Sequence, residues 1–304
     1  MLSFGVLGPI AVWAGGGPIR VGGPRERRLL TTLLLHPNVT VPLHRLAAAV
    51  WGDDAPATAK AQLHNSASKL RRALTTGDSD PVAITSSGRG LTLGIDEDQL
   101  DSALFARHVT AADRETDPAM AAASLRAALD LWRGPALDGI EDGILGGQAR
   151  RLDEQRLGCL ERRIVIDLEL GRHAEVVGDL AALVAEHPAR ERLVELYMLA
   201  LYRAGRRQDA LGAYADVRSR LAEQVGLDPR AQLDRLQQAI LRSDPALDPP
   251  RPARMAADSP VPFDVPPQLS ADGAHLTVSA CTGGFECLSR RVTMVRVSRC
   301  STGA

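Results

Sequence analysis

Residues 58–74 read TAKAQLHNSASKLRRAL, and the two faces of this segment decide the fold. At about 100° per residue, Leu63, Ala67, Leu70 and Leu74 cluster on one side of a helix. Thr58, Ala61, Gln62, Asn65, Ser68, Lys69 and Arg72 lie on the other, a polar face without a single acid. Such a helix buries one stripe and offers hydrogen bonds and positive charge on the other.

Upstream, residues 2–22 alternate short apolar runs with Gly and Pro. Leu2–Leu7, Ile10–Trp13 and Ile19–Val21 read as strands, with Gly15-Gly16-Gly17-Pro18 as a turn. A first helix follows from the stripe Leu29, Leu30, Leu33 and Leu34, ended by Pro37-Asn38. A second has Pro42 in its first turn, then Leu43, Leu46, Ala47, Val50 and Trp51 at helical spacing, and stops at Gly52-Asp53-Asp54. Downstream, Val82–Ser86 and Leu91–Ile95 flank Ser87-Gly88-Arg89-Gly90 as a hairpin. Three strands, three helices and a hairpin over residues 1–95 are the layout of a winged helix-turn-helix.

That layout places the chemistry. The third helix fits the major groove, where side chains meet base edges and cations meet phosphates. Asn65 and Gln62 are candidates for pairing with adenine or bridging bases, with Thr58 and Ser68 beside them, and Lys69 and Arg72 for guanine or the backbone. Arg89 on the hairpin is the candidate for the neighbouring minor groove or its phosphates, and Arg25, Arg27 and Arg28 for the backbone near the first helix. The charge is split accordingly: residues 1–95 carry a net +5, residues 96–244 a net −7, and 245–304 a net +1. A basic head on an acidic body suits a polyanionic partner.

Residues 96–244 read as helices joined by short turns: Ala119–Trp132, Arg151–Leu170, His173–Glu186, Glu191–Arg203, Arg207–Gln224 and Arg230–Leu241. Gly171-Arg172 and Gly205-Arg206 open successive helix pairs 34 residues apart, a period like that of tetratricopeptide repeats. The predicted fold class is therefore mainly α with a small β component, a winged helix followed by an all-α tetratricopeptide-like domain. From Pro245 a Pro-rich linker begins, and 276–304 show no convincing period and are expected to be flexible.

Other classes find little support. The seven histidines are scattered, and no Gly-x-Ser-x-Gly elbow or GxxxxGK[ST] loop occurs. The reading is of no enzyme, no cofactor and no metal site; Cys281, Cys287 and Cys300 lack metal-ligand spacing. No stretch approaches ~18 apolar residues, so no membrane contact is expected, and the lack of a signal pattern at Met1–Ile10 predicts a cytoplasmic, nucleoid-associated protein. The competing class is an interaction adaptor built on the helical body, to be told apart by salt-dependent DNA binding of residues 1–95.

The sequence also resembles a known family. FGVLGPIAVW (4–13), RERRLLTTLLLHPN (25–38), VPLHRLAAAVWGDDAP (41–56) and AQLHNSASKLRRAL (61–74) look like the OmpR-type winged helix of Streptomyces antibiotic regulatory proteins. ALDLWRGPALDGI (128–140) and the segment from Ala200 to Leu241 look like their bacterial transcriptional activator domain. The resemblance covers about 245 residues in the same order. It implies a transcriptional activator of a secondary-metabolite gene cluster that binds promoter direct repeats as a homodimer and helps recruit RNA polymerase. It assigns the recognition helix to Thr58–Leu74 and the wing to Ser86–Gly94, with Gly52–Ala57 as the polymerase-facing loop. Three departures stand out. Leu91 replaces the family's wing tyrosine, and Asp142–Gln148 is Gly-rich where a plain loop-to-helix junction is expected. Val265–Leu269 resembles the linker before the ATPase domain of larger members, after which the match ends, so a short form is expected. A receiver domain ahead of the winged helix is not expected either.

Overall fold

The computed structural model describes residues 2–75, 83–140 and 143–249, together with the strands 275–280 and 288–293. It divides into two units, Met1–Pro252 and Ala253–Ala304.

The first unit begins with a three-stranded antiparallel sheet, β1 (Leu2–Gly5), β2 (Ala11–Ala14) and β3 (Gly17–Pro18). Gly15 and Gly16 turn between β2 and β3 with φ of 56° and 85°. Two consecutive positive φ angles are what a two-residue hairpin needs, and glycine supplies them without strain. The third strand is thus Gly17–Pro18, paired with Ala14 and Trp13, and not Ile19–Val21 as the apolar run suggested. The glycine pair alone makes the turn, so pairing resumes at once.

Helix α1 (Pro24–Leu34) starts with Pro24 in its first turn and Glu26 closing a capping box onto the Gly23 N–H. Its stripe Leu29, Leu30, Leu33 and Leu34 is fully buried. Asn38 follows with φ 61°; its amide donates to the Ile95 carbonyl and accepts from the Ile95 N–H, fixing the loop to the end of the wing. Val41–Pro42 form a short strand, β4, so Pro42 precedes α2 (Leu43–Trp51) as its N-cap and does not sit in its first turn. The periodicity of α2 could not reveal β4, because two residues carry no period. Helix α3 (Ala59–Leu74) buries Leu63, Ser66, Ala67, Leu70 and Leu74. The wing is β5 (Ala83–Ser87) and β6 (Gly90–Gly94), turning at Gly88-Arg89, in a second sheet of order β4-β6-β5. At Gly90 any Cβ would stand 2.1 Å from the Val41 carbonyl oxygen, so only glycine lets β4 and β6 meet. Val82, expected in the wing, lies outside the described residues.

The helical part comprises α4 (Asp101–Arg114), α5 (Pro118–Leu129), α6 (Gly143–Glu169), α7 (His173–Glu186), α8 (Glu191–Arg203), α9 (Arg207–Val225) and α10 (Ala231–Arg242). Helix α6 begins earlier than its apolar period and runs straight through Gly146-Gly147. The 34-residue repeat is carried by its turns. After α6, Gly171 takes φ 77° and Arg172 N–H donates to the Asp167 carbonyl; after α8, Gly205 takes φ 75° and Arg206 N–H donates to the Leu201 carbonyl, each at 2.8 Å. Both are Schellman-type stops with the same spacing. In register, Leu180 and Tyr214 are both buried.

The core runs without a break from the winged helix into α4–α6. One cluster includes Leu2, Phe4, Leu30, Leu63 and Leu93 together with Phe105, Trp132, Leu152 and Cys159. Polar contacts reinforce it: the Asp101 carboxylate accepts the N–H groups of Val6 and Leu7 and pairs with Arg133 at 3.1 Å. Two smaller clusters serve α6–α8 and α8–α10.

In the second unit β7 (His275–Ala280) pairs antiparallel with β8 (Leu288–Thr293). Neither strand was read from the sequence, and the rest of 276–304 lies outside the described residues. The pairing brings together two short runs whose Ser, Thr and Arg content hid any alternation. The proline-rich stretch beyond Pro249 and the three tail cysteines lie outside the described residues.

Candidate nucleic-acid interface

The outer surface of α3 is organised in rows seven residues apart. Thr58, Asn65 and Arg72 form the middle row and are all exposed. Gln62 and Lys69 form the edge towards α1, and Ser68 lies towards the wing. Among the described residues no acid lies on this surface.

The edge towards α1 is held by two side-chain clasps. In the first, the Arg25 guanidinium donates to Gln62 Oε1 at 3.1 Å and lies over the Trp51 ring, while Gln62 Nε2 donates to Thr58 Oγ1 at 2.9 Å. In the second, buried Glu26 accepts from Lys69 Nζ at 3.2 Å and from Ser66 Oγ at 3.1 Å through one oxygen, and from the Gly23 N–H through the other. Burial pushes the Glu26 carboxyl up, but these donors and its own N–H outweigh it and hold it below the ordinary carboxylate value.

The edge towards the wing is tied by residues the sequence reading passed over. Arg71 Nε donates to the Ile84 carbonyl at 2.6 Å, and His64 Nδ1 lies 3.4 Å from Ser86 Oγ. Ser68 Oγ donates to the His64 carbonyl, and Arg72 Nε reaches back to the Ser68 carbonyl at 3.4 Å.

The structure thus sorts the expected residues. Asn65, Arg27 and Arg89 are exposed, and among the described residues no hydrogen bond or ion pair engages their side chains. Lys60, in the first turn of α3, belongs with them and was not singled out. Lys69 is exposed along its stem but its ammonium is engaged by Glu26. Arg28 is half-buried and its Nε donates to the Ala49 carbonyl, bracing α1 against α2. Glu26 did leave a signal, since an acid three residues after a Gly-Pro start marks a capping box. Its bonds to α3 left none.

Among the described residues no group of three or more His, Cys, Asp or Glu could hold a metal, and no helix is long and apolar enough to cross a membrane.

The family model described as "Transcriptional regulatory protein, C terminal" matches residues 19–93, and "Bacterial transcriptional activator domain" matches residues 100–241. The regulatory protein DnrI of Streptomyces peucetius is 36% identical over 269 residues, covering 85% of this chain and 98% of the relative. The chain belongs to the Streptomyces antibiotic regulatory protein family. Another member, the regulatory protein AfsR of Streptomyces coelicolor, is 45% identical over 249 residues, covering 81% of this chain and 25% of the relative. The chain therefore spans about a quarter of the length of the AfsR proteins it matches. A solved structure of Mycobacterium tuberculosis EmbR, in complex with a low affinity phosphopeptide, superposes with a TM-score of 0.76 at 34% identity over 80% of this chain and 66% of that one. A winged helix followed by a helical domain is accordingly the family's fold in this chain.

Proposed function

We propose that this family member is a sequence-specific DNA-binding transcriptional activator of a secondary-metabolite gene cluster. One observation carries the reading: an acid-free helix face, open to solvent and flanked by cations from α1 and from the wing. In this reading Asn65 and its row neighbours Thr58 and Arg72 face base edges, with Gln62, Ser68 and Lys69 alongside. Arg27 and Arg89 meet phosphates on either side, and Arg25 and Arg28 stand at the α1 end. The protein binds promoter direct repeats as a homodimer and recruits RNA polymerase through Gly52–Ala57, acting in the cytoplasm on the nucleoid. Residues 1–95 form the DNA-binding part, 96–244 the activator part and 245–304 a linker and tail.

The continuous core makes an excised 1–95 fragment a poor reagent, since the cut would divide one hydrophobic cluster that joins Leu2 and Phe4 to Phe105, Trp132 and Leu152. The test therefore uses the full chain to select fragments of host genomic DNA at low and at physiological salt. Enrichment of promoters with tandem repeats, lost steeply as salt rises, is the expected result. Absence of enrichment at low salt would replace this reading with that of a protein-binding adaptor.

A further inference from the structure

Arg25 stands where a phosphate clamp is expected, at the start of α1, yet its guanidinium belongs to the surface of α3. Its NH1 donates to Gln62 Oε1 at 3.1 Å. Its carbon lies 5.9 Å from the centroid of the Trp51 ring at the end of α2. Gln62 in turn donates through Nε2 to Thr58 Oγ1 at 2.9 Å. Three helices thus converge on one side chain, and the hydrogen-bond directions run one way: Arg25 to Gln62, and Gln62 to Thr58.

This polarity decides what the cluster can recognise. A glutamine reads adenine by turning its oxygen and its nitrogen together onto the base, and here Arg25 takes one lone pair of the oxygen and Thr58 one hydrogen of the nitrogen, fixing the plane of the amide within the protein. Rotating the amide would set its NH2 against the guanidinium, which has no acceptor to offer. Arg25 uses one donor on Gln62, and among the described residues nothing engages the others. A fork of donors with no acceptor complements guanine, whose N7 and O6 are both acceptors, and not adenine, whose N6 is a donor. The Trp51 ring and the Gln62 oxygen also limit the rotamers the long side chain would otherwise explore, which lowers the entropy lost on contact.

We propose that Arg25 is a specificity-determining residue that reads a guanine, with Gln62 and Thr58 as the positioning residues that hold it. The proposal rests on the DNA-binding reading above. It reverses the assignment suggested by position in the sequence, under which Arg25 grips the backbone and Gln62 reads adenine.

The test takes the operator recovered by full-chain selection and replaces each guanine singly with 7-deazaguanine, which removes the N7 acceptor. Wild type, Arg25→Ala, Arg25→Lys, Gln62→Ala and the Arg25→Ala/Gln62→Ala double variant are measured on every duplex and on random DNA, with thermal melts to check that each is folded. At one guanine the replacement should weaken wild-type binding by roughly five- to tenfold, the share of one bond in a bidentate contact. It should leave Arg25→Ala unaffected there and cost Arg25→Lys less than wild type, because a lysine ammonium lacks the planar fork. Arg25→Lys keeps the charge, so its binding to random DNA should stay within about twofold of wild type. Gln62→Ala should shrink the penalty at the same guanine and add little in the Arg25→Ala background. Equal losses on operator and random DNA for Arg25→Ala would make it a phosphate contact and overturn the proposal. So would undiminished sensitivity of Arg25→Ala at every guanine. If wild type itself does not distinguish operator from random DNA, the sequence-specific reading fails first and this proposal falls with it.

Discussion

Asp101→Ala is expected to loosen the winged helix from the helical body, because its carboxylate takes two backbone donors across the joint between them. It accepts the N–H groups of Val6 and Leu7, at 2.9 Å and 3.1 Å, and pairs with Arg133. Arg133 is itself fastened to the same corner: NH1 donates to the Pro9 carbonyl, its backbone N–H donates to the Leu7 carbonyl, and its guanidinium lies over Trp13. Val6 and Leu7 are fully buried and Asp101 is only partly open to solvent, so in the alanine variant water replaces the lost acceptor incompletely. Two orphaned buried donors cost about 1–3 kcal/mol each. Part of this is returned, since burial outweighs the Val6, Leu7 and Arg133 interactions and leaves the Asp101 carboxyl above its ordinary value of 3.8. An acid raised in this way contributes stability below its ordinary pKa and loses it as pH rises through the folded-state value, so at neutral pH its charged form carries a cost that alanine removes. The net expectation is a loss of about 3 kcal/mol. At roughly 2–4 °C per kcal/mol for a unit of this size, the melting temperature should fall by about 6–12 °C. Circular dichroism at far- and near-ultraviolet wavelengths measures it. The continuous core predicts one coincident transition for residues 2–249 in the wild type, and Asp101→Asn, which keeps one acceptor, should lose about half as much. A shift within 2–3 °C for Asp101→Ala, on the order of one kcal/mol or less, would refute the joint. Two separate wild-type transitions, with only the smaller one moved, would refute the shared core.

Glu26 should respond to acid in the opposite sense. Its folded-state pKa lies below the ordinary 4.5, so its contribution is present above that value and lost as pH falls through the lower one. As pH falls below 4.5 the tie between α1 and α3 should weaken, so the melting-temperature advantage of wild type over Glu26→Gln should shrink towards acid. At neutral pH Glu26→Ala should cost about 1.5–3 kcal/mol, with buried Ser66 left short of a partner; a change below half a unit of kcal/mol would show the clasp to be idle. Cys159 is buried against the Leu125 carbonyl, and burial pushes its thiol up to about 11. With Cys281, Cys287 and Cys300 replaced by Ser, the folded protein should resist maleimide at neutral pH and react only when denatured; rapid labelling of the native state would contradict the packing of α6 on α5. Asn65→Ala should weaken binding to the selected operator by roughly ten- to a hundredfold and leave random DNA untouched. Equal losses on both would remove its base-reading role.

Much was legible in the sequence where information is local. The bounds read for α7 and α8, His173–Glu186 and Glu191–Arg203, coincide with those observed, because an apolar period bounded by Gly171, Pro188 and Gly205 needs no distant partner. The same holds for the buried stripes of α1 and α3 and for the 34-residue repeat, whose Gly-Arg pairs set identical helix stops. The acid-free face of α3 was visible too, since the buried stripe fixes which side faces out.

What covers or engages a face is not local. Glu26 meets Lys69 across 43 positions, Arg25 meets Gln62 across 37, and Asp101 meets Val6 across 95. No periodicity in either segment encodes those distances. The clasps turned a row of apparently equivalent cations into an engaged Lys69, a bracing Arg28, an oriented Arg25 and an open Arg27. The sequence by itself determined the helices, their inward stripes and the class of surface left outside. Only the tertiary structure decided how those donors are partnered and that the head and body share one core, because side-chain pairing depends on which helices pack together, and packing is settled by the whole chain at once.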